Sequence, residues 1–138
     1  LGRREKNPVA ELRERLPSVR RLGRRGPVEV PDYLARFDVC LNLLRRSEQG
    51  NDVVPCRIYE YLSSGKPVVS MLFPEQVEHF PDVVYGAHSP EEFAALGHRA
   101  LAETGDWAKN RRREHGAAAA WSARADEVTR ILVTTGLY

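Results

Sequence analysis

The sequence predicts an α/β fold in which a parallel sheet is flanked by helices and followed by a helical tail. Two nearly continuous apolar runs, VCLNLL at 39–44 and VVSML at 68–72, are typical of strands buried on both faces of a parallel sheet. A helical pattern lies between them, and we expect the resulting βαβ unit to cross over with the right hand. Strands in the first two thirds and helices in the last third favour a layered α/β architecture.

Three short elements are predicted ahead of the first buried strand. Residues 8–16 read PVAELRERL, with a proline where a helix can start and apolar residues on one face. Residues 19–22 favour a short strand that ends at Gly23. A second small helix is predicted over 31–37, because it also begins at a proline and is followed by Asp38.

The helix between the two buried strands is predicted over 55–64. It begins at a proline, Gly65 suits a left-handed cap at its end, and Pro67 prevents its continuation. Its apolar face is predicted to consist of Ile58, Tyr61 and Leu62.

The last third of the chain is predicted to be helical. A short strand at 83–86 precedes a helix over 89–105, whose start carries a serine cap, a proline and two glutamates. Four alanines at 117–120 favour helix in the remainder, and Trp107 and Trp121 are expected to anchor the terminal helices. The predicted apolar stripe of the final helix consists of Ala125, Val128, Ile131 and Leu132.

Composition indicates one ordinary globular domain over residues 1–138. Hydrophobic residues make up 42% of the chain and charged residues 29%, and no apolar run is long enough to cross a bilayer. The net charge of +2 is too small to indicate a nucleic-acid partner, and no aromatic residues are interleaved among the clustered arginines. We expect the cluster at 111–113 to be a solvated helix face or a loop.

The two cysteines and the first residue also bear on the class of protein. Cys40 and Cys56 lack the number and spacing of a disulfide framework or a zinc site, so both are expected to be reduced packing residues. The chain begins with Leu1 and no signal peptide follows, which favours a piece of a longer cytoplasmic protein.

A candidate anion site lies at the start of the helix over 55–64. In open parallel sheets, ligands bind at the carboxyl ends of the strands, where loops lead into helices, and the polar loop 45–54 lies at such an end. Backbone N–H groups of Val53, Val54 and Cys56, together with the helix dipole, suit a phosphate.

Charged residues near this helix start fit the same site. Arg57 in the first turn opposes the helix dipole unless an anion is bound there, although a surface pair between Arg57 and Glu60 explains it equally well. Glu60 could accept hydrogen bonds from a ribose diol, and Asp52 from the hydroxyls of a sugar. A helix cap is the alternative role for Asp52.

These residues lie in a stretch that resembles a known family. DVVPCRIYEYLSSGKPVVS, preceded by LGRRGPVEVPDYLARFDVCLNLL, resembles the C-terminal, nucleotide-sugar-binding half of retaining GT-B glycosyltransferases of the group called glycosyl transferases group 1, of the family 4 type. Members carry an acid, seven residues and a glutamate, then Gly-x-Pro and a Val-Val-Ser strand. Asp52 and Glu60 fit that spacing.

The resemblance implies a Rossmann-like domain and a role for each site residue. Glu60 would bind the ribose and Asp52 the donor sugar as the catalytic pair, with Val53 and Val54 contributing amides to the diphosphate beside Arg57. Arg24 or Arg25 would lie beside the base. The first acid is an aspartate where glutamate is commoner, and VVP replaces a glycine-containing stretch, so the sugar contact departs furthest from the family pattern.

The implied partners are a nucleoside diphosphate sugar and an unknown acceptor. The N-terminal acceptor domain is absent from this sequence, so we expect the piece alone to be inactive as a hexosyltransferase. The missing domain could provide peripheral membrane association, and the surface that it leaves could drive homodimerisation. No cofactor, metal or nucleic acid is expected, and a non-catalytic interaction or nucleotide-binding module is the alternative function. The chain has four histidines, and none of them has the spacing of metal ligands: His79, His88, His98 and His115.

Overall fold

The structure is a computed structural model that describes residues 15–43, 54–71, 79–80 and 82–136. Contacts within the chain divide it into two compact units, Leu1–Val30 and Pro31–Tyr138. The second unit contains a three-stranded parallel sheet flanked by helices, which confirms the predicted Rossmann-like α/β class. The expectation of a single domain over 1–138 stays a prediction.

The elements of the described residues follow one another in the predicted order. They are α1 (Val30–Ala35), β1 (Cys40–Asn42), α2 (Cys56–Ser64), β2 (Val68–Ser70), β3 (Tyr85–Gly86), α3 (Pro90–Leu101), α4 (Asp106–Ala118) and α5 (Trp121–Thr134).

The sheet has the order β1-β2-β3, with both pairs parallel. Asn42 at the end of β1 is the register partner of Ser70 at the end of β2, and Ser70 is also the partner of Gly86. The carboxyl ends of all three strands therefore lie at one edge. In open α/β sheets, this is the edge at which ligands bind.

The first unit differs from its prediction. Residues 19–22 form no strand within the described range 15–30, and Val19 and Leu22 are exposed. Two arginines separate these two apolar residues, so the segment has too little apolar surface to bury in a sheet. The helix predicted over 8–16 lies outside the described residues except for its last two positions.

Helix α2 begins at Cys56, one residue after its predicted start, and ends at the predicted Ser64. Gly65 follows it with φ of 78°, and its N–H donates to the Leu62 carbonyl at 2.9 Å. Only glycine adopts this conformation without strain, which explains why the helix ends there. Ile58 and Leu62 are fully buried, whereas Tyr61 is half-buried.

The predicted burial on both faces holds for β2 and fails for β1. All three residues of β2 are buried. In β1, Cys40 and Asn42 are buried but Leu41 is 50% exposed, and Leu43 just beyond the strand is 69% exposed. Strand β1 is an edge strand of the described sheet, and one of its faces is open within the described part of the chain.

Helix α3 starts as predicted and ends early. The Ser89 hydroxyl accepts a hydrogen bond from the Glu92 N–H at 3.1 Å, and the Glu92 carboxylate accepts one from the His88 N–H at 2.7 Å. The first bond is the N-cap bond of a helix start, and the second ties the residue before the cap to the same first turn. The helix ends at Leu101 instead of continuing to Gly105, and just beyond its end the Glu103 carboxylate accepts hydrogen bonds from Arg112 and Tyr85.

The two terminal helices are less buried than predicted. Helix α4 ends at Ala118 and α5 begins at Trp121, so the alanine run at 117–120 spans a break instead of a continuous helix. Trp107 is 68% and Trp121 88% exposed, and α5 has no buried residue. The prediction that both tryptophans anchor helices is therefore wrong within the described chain, because nothing described covers their rings.

Candidate functional site

The predicted anion site is built around the start of α2. Pro55 precedes the helix in an extended conformation, and no side chain of the described residues caps the helix. Val54 and Pro55 are half-buried, whereas Cys56 and Arg57 are exposed. A helix start without a cap offers N–H groups to an anion, and the positive end of the helix dipole adds to the attraction.

Arg57 and Glu60 both project from the exposed side of this helix start. They are three residues apart in α2, yet no ion pair joins them or links either one to another residue that the structure describes. The surface pair that competes with the anion site is therefore not formed. An arginine in the first turn opposes the helix dipole by about 0.3 to 1 kcal/mol, a cost that a bound anion would reverse.

The other predicted site residues are only partly placed. Asp52 and Val53 lie outside the described residues, so neither the sugar contact nor the capping role of Asp52 is tested. Arg24 and Arg25 are exposed in the first unit, where the Arg25 guanidinium lies 4.0 Å from the Glu29 carboxylate. Their role beside a nucleotide base stays a prediction.

The cysteines are free thiols with different surroundings. Cys40 is buried in β1, and burial raises the pKa of its thiol to about 11, with Lys66 acting weakly in the opposite direction. It is a reduced packing residue, as predicted. Cys56 is also free but lies exposed at the first position of α2, so its predicted packing role is wrong.

Helix α2 packs closely against helix α4 near its C-terminal end. A Cβ atom added at Gly116 would lie 2.6 Å from the Ser63 nitrogen and 2.7 Å from its Cα. The backbones of the two helices meet at this point because Gly116 has no side chain. Because Gly116 has no side chain, α4 can pack directly against the backbone of α2 near the end of that helix.

Arg112 ties the far end of α2 to the rest of the fold. This side chain is only 2% exposed, and its Nε donates to the Gly65 carbonyl at 3.0 Å. Its two terminal nitrogens donate to the Glu103 carboxylate, one of them at 3.1 Å. The Tyr85 hydroxyl donates to Glu103 at 2.7 Å, so strand β3 joins the same network.

The sequence does not predict this network, since a run of three arginines, Arg111 to Arg113, favours a solvated face or a loop. Arg111 and Arg113 fit that interpretation only in part, since Arg111 is half-buried, and Arg112 contradicts it. A signal was present: Ala108 and Gly116 lie four residues to either side of Arg112, on the small-residue face of α4 that turns inward.

The network sets the ionisation of its members. Burial alone would raise the pKa of Glu103, but hydrogen bonds from Arg112 and Tyr85 and the arginine charge outweigh it and lower that pKa. Burial raises the pKa of Tyr85, and its bond to Glu103 adds to the rise. The carboxylate is therefore charged, and it balances the buried guanidinium of Arg112.

A second buried polar pair lies at the carboxyl edge of the sheet. Asn42 Nδ2 donates to Ser70 Oγ at 2.8 Å, and both side chains are fully buried. The Oδ1 atom of Asn42 has no hydrogen-bond partner among the described residues. The sequence predicts Asn42 only as part of an apolar strand, although a polar residue inside an apolar run is a signal of such a pair.

The described residues contain neither a metal-binding cluster nor a membrane-spanning helix. No three histidine, cysteine, aspartate or glutamate side chains there come together as a metal ion would require. The absence of a metal from the reaction stays a prediction. No helix in the described part of the chain has the length and apolar character needed to span a bilayer.

Comparison with known proteins identifies similar sequences. A family model described as "Glycosyl transferase-like" matches residues 4–130. The "Putative teichuronic acid biosynthesis glycosyltransferase TuaH" of Bacillus subtilis (strain 168) is 33% identical over 96 residues, which cover 67% of this chain. The matched region is 24% of that relative's length. No solved structure matches the chain.

Proposed function

Because this chain belongs to the glycosyl transferase-like family, we propose that it is the donor-binding part of a retaining GT-B glycosyltransferase. The full-length protein transfers a hexose-type sugar from a nucleoside diphosphate sugar to an acceptor. The observation that carries the proposal is the uncapped start of α2, where Arg57 and Glu60 are exposed and unpaired among the described residues. An unpaired arginine in the first turn opposes the helix dipole, and an anion bound at the helix start would turn that repulsion into attraction.

In this proposal, the diphosphate binds at the start of α2. The helix N–H groups and the Arg57 guanidinium hydrogen-bond its oxygens, and Glu60 accepts hydrogen bonds from the ribose hydroxyls. As the bond between the anomeric carbon and the diphosphate oxygen breaks, its electron pair passes to that oxygen. Arg57 and the helix dipole stabilise the negative charge that develops, and Asp52 contacts the sugar.

The relative's name supports a role in carbohydrate biosynthesis. TuaH is named for teichuronic acid biosynthesis, and we extend from that name only the reaction class, sugar transfer during the building of a polysaccharide. The acceptor is a hydroxyl group, whose oxygen forms the new bond to the anomeric carbon as the diphosphate departs and whose proton passes to the departing diphosphate oxygen.

The first test is calorimetric titration of the full-length protein with UDP, GDP and their sugar conjugates. We expect one nucleotide series to bind, and Arg57→Ala and Glu60→Gln each to weaken binding by roughly 10- to 100-fold, since each removes a charge-assisted hydrogen bond. Arg124→Ala and Glu91→Gln are matched controls on exposed helix positions and should bind as wild type does. Lack of nucleotide binding by the folded protein would favour the non-catalytic module instead.

A further inference from the structure

The carboxyl edge of the sheet carries a polar pair that packing alone does not require. Asn42 ends β1, Ser70 ends β2, and the two are register partners with no exposed surface. The Asn42 amide donates to Ser70 Oγ at 2.8 Å, and the Ser70 hydroxyl lies 3.5 Å from the Asn42 main-chain oxygen. The side-chain oxygen of Asn42 accepts no hydrogen bond from any described residue.

An unpaired buried acceptor destabilises a folded protein. It loses hydrogen bonds with water on folding and gains none in return. Leucine has nearly the same shape as asparagine and no polar group to leave unpaired, and asparagine is among the residues depleted in strands. The amide of Asn42 is thus a costly choice for a residue that only packs.

The pair lies at the edge of the sheet where a ligand could meet the amide of Asn42. Asn42 and Ser70 lie at the ends of parallel strands, the edge of an α/β sheet where ligands bind. Helix α2, which connects these two strands, begins on the same side as the carboxyl end of β1 in a βαβ unit. Both the unpaired acceptor and the proposed phosphate site therefore belong to one edge of the fold.

We propose that Asn42 is a donor-recognition residue whose Oδ1 atom accepts a hydrogen bond from a hydroxyl group of the bound nucleoside diphosphate sugar. Ser70 positions the amide by accepting a hydrogen bond from Nδ2, which leaves Oδ1 for the ligand. A phosphate cannot be the partner, because its oxygens are themselves acceptors at neutral pH. The inference rests on the proposed function and adds a residue that the family resemblance did not assign.

The test combines thermal unfolding with calorimetric titration of full-length Asn42→Leu. UDP, GDP and their glucose conjugates are the probes. The expected result is at least a tenfold loss of affinity together with an unchanged or higher Tm. A loss for nucleoside diphosphate and conjugate alike assigns the hydroxyl to the ribose, and a loss for the conjugate alone assigns it to the sugar.

Cys40→Ala is the matched control, because Cys40 is buried on the same face of the same strand. It should lower the Tm and leave the affinity unchanged. Ser70→Ala provides a second variant, in which the amide is no longer held and the affinity should fall by a smaller factor.

Three outcomes would overturn the inference in distinguishable ways. Wild-type affinity in Asn42→Leu and Ser70→Ala would show that neither residue takes part in recognition, with the proposed function intact. Parallel loss of Tm and affinity in Asn42→Leu, matched by Cys40→Ala, would assign Asn42 a structural role. Failure of the wild-type protein to bind any of the nucleotides would remove the proposed function itself, and this inference with it.

Discussion

At the scale of single residues, buried charge is the strongest feature of this chain. Arg112 is 2% exposed and satisfies three groups at once: the Gly65 carbonyl and both oxygens of Glu103. Removing one partner of such a pair leaves the other charge buried without compensation, which costs much more than the pair itself contributes. Arg112 should therefore behave quite differently from the arginines beside it.

We predict that Arg112→Leu lowers the free energy of unfolding by about 3 to 5 kcal/mol, because Glu103 and the Gly65 carbonyl lose their donors. Arg111→Leu is the matched control on the same helix. The Arg111 side chain is 43% exposed and pairs with Glu114 at 3.2 Å, so its loss should cost less than about 1 kcal/mol. Urea unfolding monitored by circular dichroism measures both. Equal effects from the two variants would contradict the buried role of Arg112.

The lowered pKa of Glu103 predicts a dependence of stability on pH. A carboxyl whose pKa is lower in the folded state stabilises the fold above its unfolded pKa, near the ordinary value of 4.5, and loses that contribution as pH falls through the folded pKa. Unfolding free energy measured from pH 7 down to pH 3 should therefore decline more steeply in the wild type than in Glu103→Gln. Parallel curves would refute the assignment.

At the scale of elements, the position of α2 depends on its contact with α4. The Gly116 position leaves no room for a side chain because the Ser63 backbone is the neighbour, and backbone cannot move aside as a flexible side chain can. The two helices would have to separate to admit even a methyl group. The proposed phosphate site lies at the other end of α2. A shift of this helix would therefore also displace the groups that bind the phosphate.

Gly116→Ala should destabilise the protein by about 1 to 3 kcal/mol, the usual cost of overpacking. Gly97→Ala is the matched control in α3, since a Cβ at Gly97 meets nothing within 4 Å. That change should stabilise the protein by roughly 0.5 to 1 kcal/mol, because alanine favours helix over glycine. Thermal unfolding of both variants measures whether each substitution raises or lowers the stability of the protein. A stabilising effect at Gly116 would mean that the helices are not in contact there.

Elements with local end signals were predicted well, and elements fixed by distant contacts were not. The cap at Ser89 and the left-handed Gly65 mark the ends of α3 and α2 in the sequence itself. The end of α3 at Leu101 and the break at 119–120 carry no such mark. Intrinsic helix propensity is a weak term that tertiary contacts override, as the alanine run shows.

The residues of the candidate site also fall into two groups, those predicted from local sequence and those fixed by distant contacts. The exposure of Arg57 and Glu60 beside an uncapped helix start follows from their place in one local motif, which the sequence displays. Arg112 and Asn42 could not be assigned from composition, because their partners Glu103 and Ser70 are brought to them by packing and by strand register. Long-range pairs of this kind are set by the fold as a whole.

At the scale of the whole molecule, the described part of the chain leaves several large apolar side chains exposed. The chain spans 24% of the length of the TuaH relative, and Leu43, Trp121 and Ile131 are among its exposed apolar residues. Domains of such size keep little stability in reserve, so any ligand that binds only the folded state should stabilise it measurably.

Donor binding should therefore raise the thermal stability of the full-length protein. A nucleotide at 100 times its dissociation constant adds about 2.7 kcal/mol to the free energy of unfolding, since the folded state alone binds it. The increment should shrink in Arg57→Ala and Glu60→Gln, because each weakens the affinity, and persist in Glu91→Gln. Differential scanning fluorimetry with and without nucleotide measures it, and inorganic phosphate is the ligand control. An equal rise in wild type and Glu60→Gln would show that the nucleotide binds away from the start of α2, because a ligand held by that carboxylate cannot be indifferent to its loss.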